Sequence, residues 1–114
     1  MHELSIAQSI LETVLGEAER RNLTAVHIIG LRIGAMTDIV PEALEFGFNA
    51  LKADTFLKDT NLKIETVPIK GYCEKCQQRF EVQEFIFVCP NCYSNKIKTE
   101  QGSELDIAYL EVED

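Results

Sequence analysis

Cys73-Glu74-Lys75-Cys76, twelve further residues, and Cys89-Pro90-Asn91-Cys92 contain every cysteine of the chain. A CxxC turn sets two sulfurs on one side of a tight knuckle. Two facing knuckles present four thiolates at the corners of a tetrahedron, the arrangement zinc prefers, with Zn–S near 2.3 Å. Between the pairs, Arg79-Phe80-Glu81-Val82 alternates, Gln83-Glu84 is polar and Phe85-Ile86-Phe87-Val88 is rich in β-formers. The link therefore reads as a hairpin and the whole segment as a zinc ribbon.

Other chemistries use the same residues. Two disulfides, a thioredoxin-like redox pair and a rubredoxin-like iron site all remain open. Nothing marks the chain as secreted, neither pair lies between a strand and a helix, and the link is short for rubredoxin, so zinc is the favoured reading. Four thiolates fill the coordination sphere and leave no position for water, so the ion is structural. A segment of about thirty residues cannot bury enough apolar surface to fold alone, and bound zinc contributes on the order of 10 kcal/mol.

Outward from the ribbon, the chain reads as a small αβ domain. Ala7, Ile10, Leu11, Val14, Leu15 and Ala18 form the stripe of a helix from about Ser5 to Arg21, with Ser5 and Gln8 as a capping box, a Glu17–Arg21 pair and Asn22 as the stop. Val26 to Ile33, ending at Gly34, is the central strand. His27, Ile29, Leu31 and Ile33 share one face, and His27 is a strand residue rather than a metal ligand. Pro41-Glu42 opens a second helix with Val40, Leu44, Gly47, Phe48 and Leu51 on its buried side. Phe46 lies off that stripe and is expected to cover the neighbouring helix.

Leu62 to Val67 alternates as a strand ended by Pro68, and Leu105 to Val112 reads as the last strand. Asn95 to Gly102 reads as a polar connection, with hinges at residues 68–71 and 98–102. The expected fold class is α+β, a small three-stranded sheet packed by two helices, with an inserted zinc-ribbon domain. The expected domains are 1–69 together with 103–114, and 70–102 for the ribbon.

With 114 residues, 46% of them hydrophobic and 26% charged, the chain has the make-up of an ordinary globular protein. Its net charge of -8 argues against a protein whose main work is gripping phosphates. No basic segment followed by an apolar one opens the chain, and no apolar run approaches the ~20 residues needed to cross a bilayer, so a cytoplasmic home is expected. There is no nucleophile beside a base, no phosphate-binding glycine loop and no catalytic carboxylate pair, so no enzymatic activity is expected and no residue is assigned a catalytic role.

Met1-His2-Glu3 offers a second kind of metal site. The α-amine, the following amide and the His2 imidazole can close around a cation in fused rings, a square-planar nitrogen set suited to Ni²⁺ or Cu²⁺. Glu3 adds a carboxylate. The imidazole and amine must lose protons before binding, so acid should release the metal. Read alone, a histidine at position two is more often without function.

Together these pieces resemble the HypA/HybF family, nickel-insertion accessory proteins of nickel-iron hydrogenase maturation. The resemblance runs through Met1-His2-Glu3, Leu31-Arg32-Ile33-Gly34 and Pro41-Glu42-Ala43-Leu44-Glu45-Phe46. It continues through the Cys73/Cys76 knuckle, Phe80, the Cys89-Pro90/Cys92 knuckle, and Gly102, Glu104, Leu105 and Ile107. It implies that His2 anchors nickel with Met1 and Glu3 alongside, and that Cys73, Cys76, Cys89 and Cys92 hold structural zinc. It implies delivery to the hydrogenase large-subunit precursor with the GTPase HypB, without nucleic acid or membrane as partner; some relatives also serve urease. Members often carry glycine after the second knuckle, where this chain has Tyr93-Ser94, a departure in a turn rather than a ligand.

A zinc-ribbon adaptor contacting nucleic acid or a transcription complex is the alternative. Lys70, Lys75, Arg79, Lys96 and Lys98 are interleaved with Tyr72, Phe80, Phe85 and Phe87. Glu74, Glu81 and Glu84 dilute that charge, and the phenylalanines are expected to form the ribbon's own small core.

Overall fold

The computed structural model describes residues 3–114. Helix α1 (Glu3–Arg21) buries Ile6, Ala7, Ile10, Leu11, Val14 and Ala18. This is the anticipated stripe, with Ile6 added and Leu15 only half-buried. The helix begins earlier than Ser5, so Ser5 sits inside the first turn and caps nothing. Gln8 instead donates to Glu12 Oε2 at 2.7 Å, one turn on. Asn22 adopts the left-handed conformation at φ 55°, and Leu23 N–H donates to the Ala18 carbonyl at 3.0 Å. That pattern closes the helix as a Schellman motif, with asparagine taking the position glycine usually fills. Arg21 Nε meets Glu17 Oε2 at 2.9 Å.

Strand β1 (Ala25–Gly34) leads through a single 3₁₀ turn at Ala35–Thr37 to helix α2 (Pro41–Lys52). Proline suits the first turn of α2, where its missing N–H has no intrahelical partner to lose. Leu44, Gly47 and Phe48 are buried. Leu51 is half-buried, while Val40 is 51% exposed and Phe46 is 77% exposed. The expectation that Phe46 covers a neighbouring helix is therefore overturned, because it points away from the face carrying Leu44 and Phe48. Strand β2 (Asn61–Val67) follows, and β6 (Leu105–Glu113) ends the chain.

These strands form one three-stranded sheet in the order β2-β1-β6. Thr24 N–H donates to the Glu113 carbonyl and Gly34 N–H to that of Glu104, so β1 and β6 run antiparallel. The fold is thus α+β, with two helices and small sheets, as expected.

Contacts divide the chain into two compact units. The first comprises residues up to Arg32, Asp38–Glu65 and Asp106–Asp114. In it α1 and α2 pack on one another, and Val26, Ile29, Leu31, Leu57 and Leu62 join the core. Thr60, also buried, donates its hydroxyl to the Val26 carbonyl at 2.6 Å, which removes the cost of hiding it. His27 is exposed and meets Glu113 Oε1 at 3.0 Å, a strand-surface role.

The second unit comprises Ile33–Thr37 and Thr66–Leu105. Its sheet has the order β4-β3-β5, with β3 at Lys70–Cys73, β4 at Arg79–Glu81 and β5 at Ile97–Gln101. Two sequence readings fail here. Phe85 to Val88 is not a strand: Glu84 and Phe85 take φ values of 53° and 60°, and Ile86 N–H donates to the Gln83 carbonyl, a tight turn that breaks pairing. The partner of β4 is β3, upstream of the first knuckle. The segment read as a polar connection and two hinges is instead a ladder, in which Cys73 opposes Ile97 and Tyr72 opposes Lys98.

Gly34 and Gly102 meet within this unit. A β-carbon on Gly34 would stand 2.0 Å from the Gly102 carbonyl oxygen, and Gly102 itself holds φ 123°, a value side chains rarely adopt. Met36 N–H donates to that same carbonyl at 2.8 Å. Both glycines are required by close backbone approach.

Candidate metal centre

The second unit's sheet positions the cysteines. Cys73 is the last residue of β3, and the chain turns through Cys76 into β4. Pairing of β3 with β5 fixes the base of the insert, and Glu74 N–H extends it by donating to the Lys96 carbonyl. The two knuckles are built alike. Cys73 N–H donates to the Gln78 carbonyl and Gln77 N–H to the Cys73 carbonyl; Cys89 and Ser94, with Tyr93 and Cys89, repeat the pattern. Each turn closes through a left-handed residue, Gln77 at φ 64° and Tyr93 at φ 63°.

All four sulfurs lie within 4.8 Å of one another. Across the knuckles, Cys73 Sγ stands 3.6 Å from Cys92 Sγ and Cys76 Sγ stands 3.5 Å from Cys89 Sγ. These are not disulfides, and all four cysteines are free. A zinc tetrahedron with Zn–S near 2.3 Å has edges of about 3.8 Å, so the spacing fits a four-thiolate zinc site.

Backbone amides already favour negative sulfur. Cys76 N–H points at Cys73 Sγ at 3.5 Å, and the N–H groups of Asn91 and Cys92 point at Cys89 Sγ at 3.4 Å. The Cys76 amide is the main influence lowering the Cys73 thiol to about 6. At Cys89 burial raises the value, but the Cys92 and Asn91 amides together with the Cys76 and Cys92 sulfurs leave the thiol lowered. At Cys92 the Ser94 backbone contact lowers it, yet burial and the three neighbouring sulfurs together push it up to about 11. A cation is what lets all four ionise at neutral pH.

The Asn91 side-chain amide also reaches Cys76 Sγ at 3.7 Å. The sequence reading gave Asn91 no role; its signal was an amide donor between two cysteines of one knuckle. The expected ribbon core is only partly present, since Phe80 and Phe87 are half-buried while Phe85 is 58% exposed.

Met1 and His2 lie outside the described residues. Glu3, the third member of the expected nickel set, opens α1, and its Oε2 accepts the Val40 N–H at 3.0 Å. This bond ties the loop before α2 to the first turn of α1. The sequence reading did not connect the two, because they are separated by more than thirty residues and share no periodic pattern.

The family model described as hydrogenase/urease nickel incorporation, metallochaperone, hypA matches residues 1–112. The chain belongs to the HypA family. It is 35% identical over 113 residues to the hydrogenase maturation factor HypA of Acidithiobacillus ferrooxidans, covering 99% of this chain and 100% of that one. To the factor of the same name from Geobacter metallireducens it is 40% identical over 113 residues, with the same coverage. A solution structure of the nickel metallochaperone HypA from Helicobacter pylori matches with a TM-score of 0.66 at 22% identity, over 98% of this chain and 97% of that one. A solution structure of HypA protein gives 0.71 at the same identity. At that identity the structural likeness bears on the fold.

Proposed function

We propose that this chain is a nickel metallochaperone. Met1, His2 and Glu3 bind Ni(II) as cargo and give it up for maturation of nickel-iron hydrogenase, while Cys73, Cys76, Cys89 and Cys92 keep a structural zinc ion. The observation that carries this reading is the family match across residues 1–112, which takes in Met1-His2-Glu3. The protein works by binding and handing over a metal rather than by catalysis, in the cytoplasm, with the GTPase HypB and the hydrogenase large-subunit precursor as partners. Residues 1–69 with 103–114 serve nickel, and residues 70–102 form the zinc ribbon.

The chemistry supports this division. Thiolates are soft, and four of them enclose an ion without leaving a position for exchange. An amine, an imidazole and a carboxylate form an incomplete set, which a partner's ligands can complete and then take over.

The test is a calorimetric titration of Ni²⁺ into native-ended protein and its His2→Ala variant. The variant is expected to lose specific nickel binding while keeping zinc content and helical signal. Equal nickel affinity in the two proteins would overturn the assignment.

A further inference from the structure

The end of the first unit where Glu3 stands exposes more apolar surface than its packing requires. Leu4 is 58% exposed, Val40 51% and Phe46 77%. Two contacts and one step of chain bring them together. Glu3 holds the Val40 amide, Leu4 follows Glu3 in the chain, and Leu4 lies against α2 at Gly47, next to Phe46. A β-carbon at Gly47 would stand 3.3 Å from Leu4 Cδ1. Glycine within a helix costs about 1 kcal/mol relative to alanine, and here it admits the first turn of α1 close to α2. The burial of α2 is supplied by Leu44, Gly47 and Phe48, so the fold gains nothing from an aromatic at position 46.

The charged residues nearest this patch are acidic. The chain has 11 lysines and arginines, yet residues 1–19 and 33–51 contain none. Asp38, Glu42 and Glu45 on the second of these segments are all exposed. Glu45 adjoins Phe46 and Glu42 lies one turn before it. A second copy of this surface would meet it with like charge, which disfavours self-association.

We propose that Leu4, Val40 and Phe46 form an apolar collar, fringed by Asp38, Glu42 and Glu45, on which the nickel-accepting protein docks through an apolar pocket rimmed by lysine or arginine. The inference rests on the nickel-delivery reading and names the surface that serves it. Glu3, one of the residues assigned to the cargo, is tied into the collar through the Val40 amide, so a protein seated there meets it. Burial of an exposed aromatic supplies affinity, and the acidic fringe steers the encounter and sets its orientation.

The test measures binding of the cognate hydrogenase large-subunit precursor at several salt concentrations. Wild type is compared with Phe46→Ser, Glu45→Lys and a control, Ile86→Ser, whose side chain is exposed in the second unit. Phe46→Ser is expected to weaken the complex at least about tenfold, as loss of a central interface aromatic does. Glu45→Lys should weaken it too and flatten its salt dependence, while Ile86→Ser binds as wild type does. If Phe46→Ser and Glu45→Lys bind like wild type, or if wild type forms no complex, the collar is not the docking surface. Nickel titration of the same proteins reads the delivery assignment separately: Phe46→Ser should bind nickel normally. A wild type that ignored nickel yet docked would overturn that assignment and leave the collar standing.

Discussion

Tyr93 closes the second knuckle in a left-handed conformation, a backbone position that suits glycine better than a residue with a side chain. At φ 63° a side chain crowds the following carbonyl, whereas glycine does not. Tyr93→Gly is expected to stabilise the second unit by about 1 kcal/mol, read as a higher thermal midpoint at fixed zinc. A lowered midpoint would show that the exposed ring contributes more than the turn costs. Titration is argued at the same scale. Cys73 is held at about 6, below the ordinary thiol value of 9.0, so its thiolate prevails above that range and is lost as pH falls through it. The stability it contributes therefore fades as pH falls from the ordinary thiol range toward about 6, and zinc, which competes with protons for all four sulfurs, should be retained at neutral pH and released only in more acidic solution. A metal-indicator dye followed through an acid titration checks this. Full retention at about pH 4 would contradict it.

At the scale of elements, legibility followed the reach of each signal. α1, β1, α2 and β2 were readable because their apolar positions recur within a turn or two of chain, and Pro41, Asn22 and Pro68 punctuate them locally. β5 was not readable: Ile97-Lys98-Thr99-Glu100-Gln101 is polar, and what makes it a strand is its pairing with β3, more than twenty residues earlier. Phe85 to Val88 misled for the opposite reason. Its composition favours a strand, but the left-handed turn at Glu84 and Phe85 turns it out of the ladder. Cys73→Ala should uncouple this unit. Zinc per chain is expected to fall from about one to near zero after dialysis, with loss of the β3–β5 ladder, because the metal supplies much of a small ribbon's stability. Amide exchange would show the helices of the first unit still protected, and exchange that collapsed equally in both units would contradict that independence. Gly34→Ala should cost about 2–4 kcal/mol, since its methyl would overlap the Gly102 carbonyl and the backbone must move. Chemical unfolding at fixed zinc measures it.

At the scale of the whole molecule, the proposed function joins two metal chemistries of opposite character. The four thiols were found in the sequence by spacing alone, and the structure brings them within one coordination sphere's reach. The amino-terminal set was legible as chemistry, but its weight came from the family resemblance, because a histidine near a terminus carries no periodic or spacing signal of its own. X-ray absorption at the zinc and nickel edges, on one sample of native-ended protein given a single equivalent of Ni²⁺, tests the separation most directly. The zinc edge should report four sulfurs near 2.3 Å, and the nickel edge nitrogen and oxygen neighbours only. Sulfur around nickel, or nitrogen and oxygen in place of sulfur around zinc, would contradict it.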